Sequence, residues 1–315
     1  MNTLLNTRQT AHITVLLLAA TLTTGVGAQP GIPRTSPPAP ETDVYLLPLT
    51  GKGTALAPAS REARNITNRA GYDNQPAFSR DGGSIFFTAN HGDGHTDIYR
   101  HDLALRTTQV VQRTRPESEY SAFPTADGRA ITVIRVEADS TQRLWQLSLD
   151  GRSAQLLFPD IKPVGYFAQP NDSTWVMFVL GTPVTLQLGY HGRGTGTVLA
   201  RHVGRSLHRI PGTTRASYVQ KGATAGDSVW RVMELDPDTR TATELVALPS
   251  RREDVAWVDG NTLLVADGTR LLRWTRGRAA WEQLADLSGQ PLRNITRLAV
   301  SPDGRWLAFV ADARQ

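Results

Sequence analysis

The chain of 315 residues contains no cysteine. That excludes any disulfide, and it excludes a lipid anchored on a cysteine behind an export signal. No run of roughly 18 apolar residues occurs, so no helix long and apolar enough to cross a bilayer is expected. No Lys/Arg-rich block occurs either. The 34 basic and 29 acidic residues are scattered, whereas a nucleic-acid footprint needs clustered positive charge. What is present is a globular balance: 40% hydrophobic and 20% charged residues, in a length that can bury a sizeable core. With 27 glycines and 19 prolines, many turns are favoured over long helices.

The N-terminus reads as an export signal. Arg8 and His12 precede the apolar run "ITVLLLAATL" (13–22), and the small residues "TTGVGA" (23–28) follow. A charged start, a short apolar stretch and a small-residue cleavage site are the parts of a secretory signal peptide. Residues 1–28 are assigned to it, with cleavage after Ala28 and Val26 three residues from the cut. Removing them takes away Arg8, which leaves 33 basic against 29 acidic residues, a charge of +4. An export signal without cysteine fits a bacterial periplasmic or secreted protein. Residues 29–42, "QPGIPRTSPPAPET", form a Pro-rich leader expected to be extended.

Beyond the leader the sequence repeats. "QPAFSRDGGSIFFTANHGDGHTDIYRHDL" (75–103) and "YSAFPTADGRAITVIRVEADSTQRLWQLSLDG" (120–151) share one plan. Each has an apolar-aromatic step, an Asp-Gly turn, a β-rich run, a polar loop and an alternating strand. Asp-Gly is a strong hairpin signal, because glycine readily takes the positive φ of a tight turn. Counting turns at 81, 127, 171, 211, 259 and 303 gives spacings of 46, 44, 40, 48 and 44 residues. A period of about 40–50 residues with four strands per repeat is the signature of propeller blades.

Five blades are complete. The sixth has only its first two strands, the hairpin "RLAVSPDGRWLAFVAD" (297–312). A lone hairpin is not stable. The missing strands lie at the other end: "TDVYLLPLT" (42–50) matches "TDIYRHDLA" (96–104), and "EARNITN" (62–68) stands where a fourth strand belongs. The expected fold is therefore an all-β, six-bladed β-propeller over 43–315. Its blades are four-stranded and antiparallel, and N-terminal strands close it by pairing with the C-terminal hairpin.

"AFSRDGGSIFFTAN…TDIYRHDL" and "LAVSPDGRWLAFVAD" resemble the WD-like repeats of TolB-like β-propeller proteins over residues 42–312. The resemblance implies the propeller fold and is poor in functional content, since many activities sit on it. The same repeats occur in the gating propeller of prolyl-oligopeptidase-type enzymes, but the G-x-S-x-G elbow of their hydrolase domain is missing from this sequence.

Candidate chemistry is sparse. In "NHGDGHTD" (90–97), His91, Asp93 and His95 are possible metal ligands beside Asp97. They lie across a Gly-rich turn, so a polar hairpin loop is the competing reading, with Asp97 bonded to backbone at a strand start. "HGRGTGT" (191–197) lacks the strand-to-helix setting of a phosphate loop and reads as a turn. Ser79 and Ser301 sit beside turn Asp residues, and no His recurs near them, so they read as turn residues rather than nucleophiles. The aromatics Phe78, Phe86, Phe87, Phe123, Trp175, Phe178, Trp257, Trp306 and Phe309 recur at equivalent strand positions and are expected to pack between blades.

The informative surface is the face that gathers the loops between strand four and the next strand one, together with the loops between strands two and three. Binding residues concentrate on such loops. The candidates there are Tyr72, Asp73, Asn74, Arg115, Glu117, Glu119, Tyr120, Arg251, Arg252, Glu253 and Asp254, with Asp73 and Asp254 able instead to cap loops internally. The resulting expectation is an exported, monomeric, non-catalytic scaffold that binds a periplasmic or extracellular protein or peptide and has no cofactor. A channel-site enzyme of the metal-dependent lyase or lactonase kind, or a sugar-binding sensor, is the alternative.

Overall fold

A computed structural model describes residues 40–90, 92–222 and 227–312. The assigned signal peptide and most of the leader, and His91 of the candidate metal set, lie outside the described residues. Strand β1 (Thr42–Thr50) is followed by a single 3₁₀ turn and the two-residue strands β2 (Ala57–Pro58) and β3 (Arg64–Asn65). Blade I holds β4 (Asp73–Phe78), β5 (Ser84–Asn90), β6 (Thr96–Asp102) and β7 (Thr107–Gln112). Blade II holds β8 (Ser118–Pro124), β9 (Ala130–Val136), β10 (Gln142–Ser148) and β11 (Ala154–Leu156). Blade III holds β12 (Val164–Asn171), β13 (Thr174–Val179), β14 (Thr185–Tyr190) and β15 (Thr197–Arg201). Blade IV holds β16 (Val203–Arg209), β17 (Ala216–Gln220), β18 (Arg231–Asp236) and β19 (Thr241–Ala247). Blade V holds β20 (Val255–Asp259), β21 (Thr262–Asp267), β22 (Arg270–Thr275) and β23 (Glu282–Asp286). The chain ends with β24 (Thr296–Val300) and β25 (Trp306–Asp312).

All five complete blades are sequential antiparallel sheets, and β24, β25 and β1 make the sixth, with β2 and β3 on the outer side of β1. β1 pairs with β25 from Thr42 opposite Asp312 to Pro48 opposite Trp306. This is the closure expected from the sequence. It removes the strand edges an open ring would expose.

The turns explain themselves locally. Ser79, Thr125 and Ser301 each donate a hydroxyl hydrogen bond to the turn carboxylate two residues on, at 2.5, 2.6 and 2.6 Å. The glycines after Asp81, Asp127 and Asp303 take φ of 72°, 67° and 73°, which side chains with a Cβ adopt only at a cost. Ser79 and Ser301 are thus turn residues.

The cores lie between blades. Ile98 of blade I meets Ile131 and Leu147 of blade II. Phe167 and Trp175 of blade III pack on Ile134 and Leu144 of blade II. Trp257 of blade V packs on Val219 and Val232 of blade IV. Tyr45 and Phe309 of the closing blade stack at 5.6 Å over the side chains of blade V. Burying each such side chain stabilises the ring by about 1.5–3 kcal/mol. Phe123 departs from this pattern. It is 42% exposed and faces the central channel, for a reason set out next.

Candidate functional site

Each inner strand (β4, β8, β12, β16, β20 and β24) runs along the ring axis. In all six the pairing to the second strand slips. The shifts include those between Asn74 and Ala77, Tyr120 and Phe123, Val164 and Tyr166, Val203 and Leu207, Trp257 and Asp259, and Thr296 and Ala299. A bulge leaves residues unpaired and re-aims side chains. Gln75, Ser121 and Arg297 occupy equivalent bulge positions with φ of 57°, 53° and 53°. Non-glycine residues seldom hold positive φ, so the ring spends backbone strain here. The bulge also resets the alternation, which turns Phe123 toward the axis, where it packs edge-on against Phe167.

These bulges surround a cavity of about 70 Å³ lined by residues of all six blades, among them Gln75, Ser121, Tyr166, Arg205, Asp254 and Arg297. Since about 10–15 Å³ of such space holds one water, it accepts a few waters or one small polar group. Gln75 Oε1 accepts the Ser121 N–H at 2.9 Å and the Thr88 hydroxyl at 2.9 Å, which stitches blades I and II. Arg205 donates to both oxygens of Asp254, at 3.2 and 2.8 Å, and its N–H donates to Glu253 at 2.8 Å. Lys221 also donates to Glu253, at 3.2 Å. Burial alone would raise the Asp254 carboxyl; Arg205 and Arg297 reverse this and hold it well below the usual carboxylate range.

Arg297 is different. Its guanidinium donates to the Tyr166 hydroxyl at 2.8 Å. Blades VI and III face each other across a six-bladed ring, so this bond crosses the channel. Among the described residues no carboxylate forms an ion pair with Arg297, whereas Arg205 has two and Lys221 has one. Three cations therefore share two carboxylates, with Asp254 facing both Arg205 and Arg297, which leaves one positive charge in excess. Arg297 and Arg205, with Tyr166 and Tyr120, are also the electrostatic neighbours of Tyr72, whose hydroxyl burial pushes up.

His208 lies on the same wall. Burial lowers its imidazole to about 4, so it is neutral at pH 7. Its Nε2 lies 2.9 Å from Ser206 Oγ. The same hydroxyl accepts the Val255 N–H at 3.1 Å, so the pair ties blade IV to blade V.

The sequence-derived candidates divide into two groups. Tyr72, Tyr120, Glu253 and Asp254 converge on the channel. The rest serve other places. Asp73 is fully buried and accepts from Arg69 at 2.5 Å. Asn74 is buried and donates to Thr42 at 3.3 Å. Glu119 is fully buried, paired with Arg135 at 3.0 Å and bonded to Thr114. Arg115 donates to Asp93 at 2.8 Å and to both oxygens of Asp97 at 2.8 and 2.9 Å. Asp97 thus pairs with a side chain, where a backbone partner was expected. Asp93 also accepts the His95 N–H at 3.0 Å, and no group of three His, Cys, Asp or Glu residues with metal-binding geometry occurs among the described residues. Glu117 is half-buried and Arg251 exposed. Arg252 is exposed and donates to Asn294 at 2.6 Å.

A larger cleft of about 740 Å³ runs along the outer edge of the closing blade, lined by Asp43, Asn65 and Gln290 among others. Several of its polar groups are already engaged. Asp43 accepts from Asn65 and Thr67 at 2.9 Å each, and Gln290 bonds the backbone of Ala63 and Arg61 at 2.9 and 2.8 Å. The channel, with its excess positive charge, is the better candidate.

No family model and no curated protein matches the chain. Solved structures do. TolB from Acinetobacter baumannii superposes with a TM-score of 0.54 at 14% identity, over 86% of this chain and 63% of that one. This chain therefore spans less than two thirds of that protein. A putative TolB from Agrobacterium tumefaciens gives 0.64 at 13% identity, over 87% of this chain and 98% of that one. An oligogalacturonate lyase in complex with manganese gives 0.55 at 15% identity, over 80% of each chain. Enzymes and non-enzymes stand side by side among these neighbours, and the likeness extends to architecture alone. In architecture, the chain is a six-bladed β-propeller of the TolB-like kind.

Proposed function

We infer that this chain is an exported binding propeller of the bacterial periplasm or exterior, which recognises a protein or peptide at the loop-face end of its channel without turnover. Export rests on the pattern in residues 1–28. Recognition rests on one observation, the excess positive charge of the cluster that includes Arg297. Three cations held beside two carboxylates cost the fold free energy, and a partner that brings a further negative group offsets it. Tyr72, Tyr120 and Tyr166 around it are the residue type that dominates binding hot spots.

The test is crosslinking in cells of the tagged protein, with mass spectrometry of what it captures. A dominant partner is expected from wild type and from Arg115→Ala and Arg251→Ala, which lie away from the channel. Arg297→Gln is expected to lose it. The tagged protein itself is expected to begin at Gln29. A partner that survives Arg297→Gln and disappears with Arg115→Ala or Arg251→Ala would move recognition to the outer loops and overturn the reading.

A further inference from the structure

Resting on that reading, we propose that the group the channel receives is a carboxylate carried next to an apolar substituent. Four observations converge. First, charge: Arg205, Lys221 and Arg297 stand against Glu253 and Asp254, with Asp254 facing both arginines, so the balance around the channel leaves one positive charge in excess. One surplus charge matches a monoanion, and a phosphate dianion would leave negative charge unneutralised.

Second, geometry: a guanidinium has five donors in a planar fork that fits the two oxygens of a carboxylate. Arg297 uses one donor on a neutral hydroxyl, that of Tyr166. A carboxylate can accept from the remaining N–H groups and from the same hydroxyl.

Third, an unused donor: Ser121 is 4% exposed, lines the same cavity, and its Oγ has no hydrogen-bond partner. A buried hydroxyl left without a partner costs about 1–3 kcal/mol. An oxygen of the ligand in the cavity gives it an acceptor. Size agrees with this, because about 70 Å³ suits one planar group of three heavy atoms better than a sugar ring.

Fourth, the neighbour: Phe123 is 42% exposed two residues beyond Ser121 on the same strand, against Phe167. A large aromatic exposed on a channel wall offers apolar contact to whatever the carboxylate is attached to. Two sources share this chemistry: the C-terminal residue of a peptide, and a free arylcarboxylic or aliphatic acid.

The experiment is calorimetric titration of the mature propeller, up to millimolar ligand, with N-acetyl-L-phenylalanine, its C-terminal amide, benzoate and inorganic phosphate. Binding of the acid is expected, with the amide and phosphate at least tenfold weaker. Benzoate binding as well as the acid identifies a free acid as sufficient, and acid far above benzoate identifies a peptide end. Arg297→Gln is expected to lose at least tenfold in affinity for the acid, and Arg297→Lys to recover part of it, since the charge returns without the fork. Equal binding of acid and amide, stronger binding of phosphate, or no binding of any probe would overturn the proposal. If partner capture in cells still depends on Arg297 while the acids fail to bind, the carboxylate assignment falls and the channel reading stands.

Discussion

Two buried titratable residues pull the stability of the ring in opposite directions with pH. Burial raises the Asp73 carboxyl to about 6 against the attraction of Arg69. A raised carboxylate favours the fold while protonated, so its contribution is present at low pH and lost as pH rises through about 6. Burial lowers the His208 imidazole to about 4. Its contribution is present above the ordinary histidine range and lost as pH falls toward 4. Between pH 4 and 6 the two nearly cancel. Melting temperature against pH should therefore tilt oppositely in two variants. Asp73→Asn should lose stability on acidification more steeply than wild type, and His208→Gln should gain relative to it. Parallel curves for all three proteins would show that neither group titrates as its surroundings dictate. Neither role was legible from residue type. Asp73 looked like a loop contact because it precedes a strand in the sequence; the structure makes it the first residue of β4, fully buried.

At the scale of strands the sequence was far more informative, since hairpins are local. Four Asp-Gly turns, the degenerate turns at 171 and 211, and the alternating runs placed every blade, and the match of 42–50 to 96–104 placed β1 against β25. The bulges were not legible. A bulge is a mismatch between two strands, and one strand does not display it. A trace of it exists in hindsight: Gln75, Ser121 and Arg297 each stand six residues before a turn Asp, at 81, 127 and 303. Aligning the repeats by their turns puts these three polar residues in one column of the inner strands. The same count from the turn at 211 lands on Arg205, while from the turn at 171 it lands on Gly165, one residue short of Tyr166. The closing strands also carry a stability prediction. Deleting residues 297–315 removes β24 and β25, exposes the edge of β1, and takes Leu307, Phe309 and Val310 out of their clusters. Losses of about 2–5 kcal/mol per large buried side chain exceed what a domain of about 5–15 kcal/mol total stability can bear. The truncated protein should be insoluble or lack a cooperative melting transition, and a soluble form melting like wild type would contradict the closure.

Across the whole molecule, the six blades are held by apolar clusters between neighbours, and the channel is the place where they all contribute side chains. Among the described residues Arg297 makes no close ion pair of its own; it shares the field of Asp254 with Arg205 and lies over the Tyr166 ring at 4.9 Å. Natural proteins accept such costs at functional sites, where stability and function compete. The most direct test is the melting temperature of Arg297→Gln beside wild type, both without ligand. Arg297 held in readiness for a ligand means a melting temperature unchanged or higher in the variant. A clear fall, by several degrees, would mean that the arginine and its bond to Tyr166 hold the ring together, and would contradict the account.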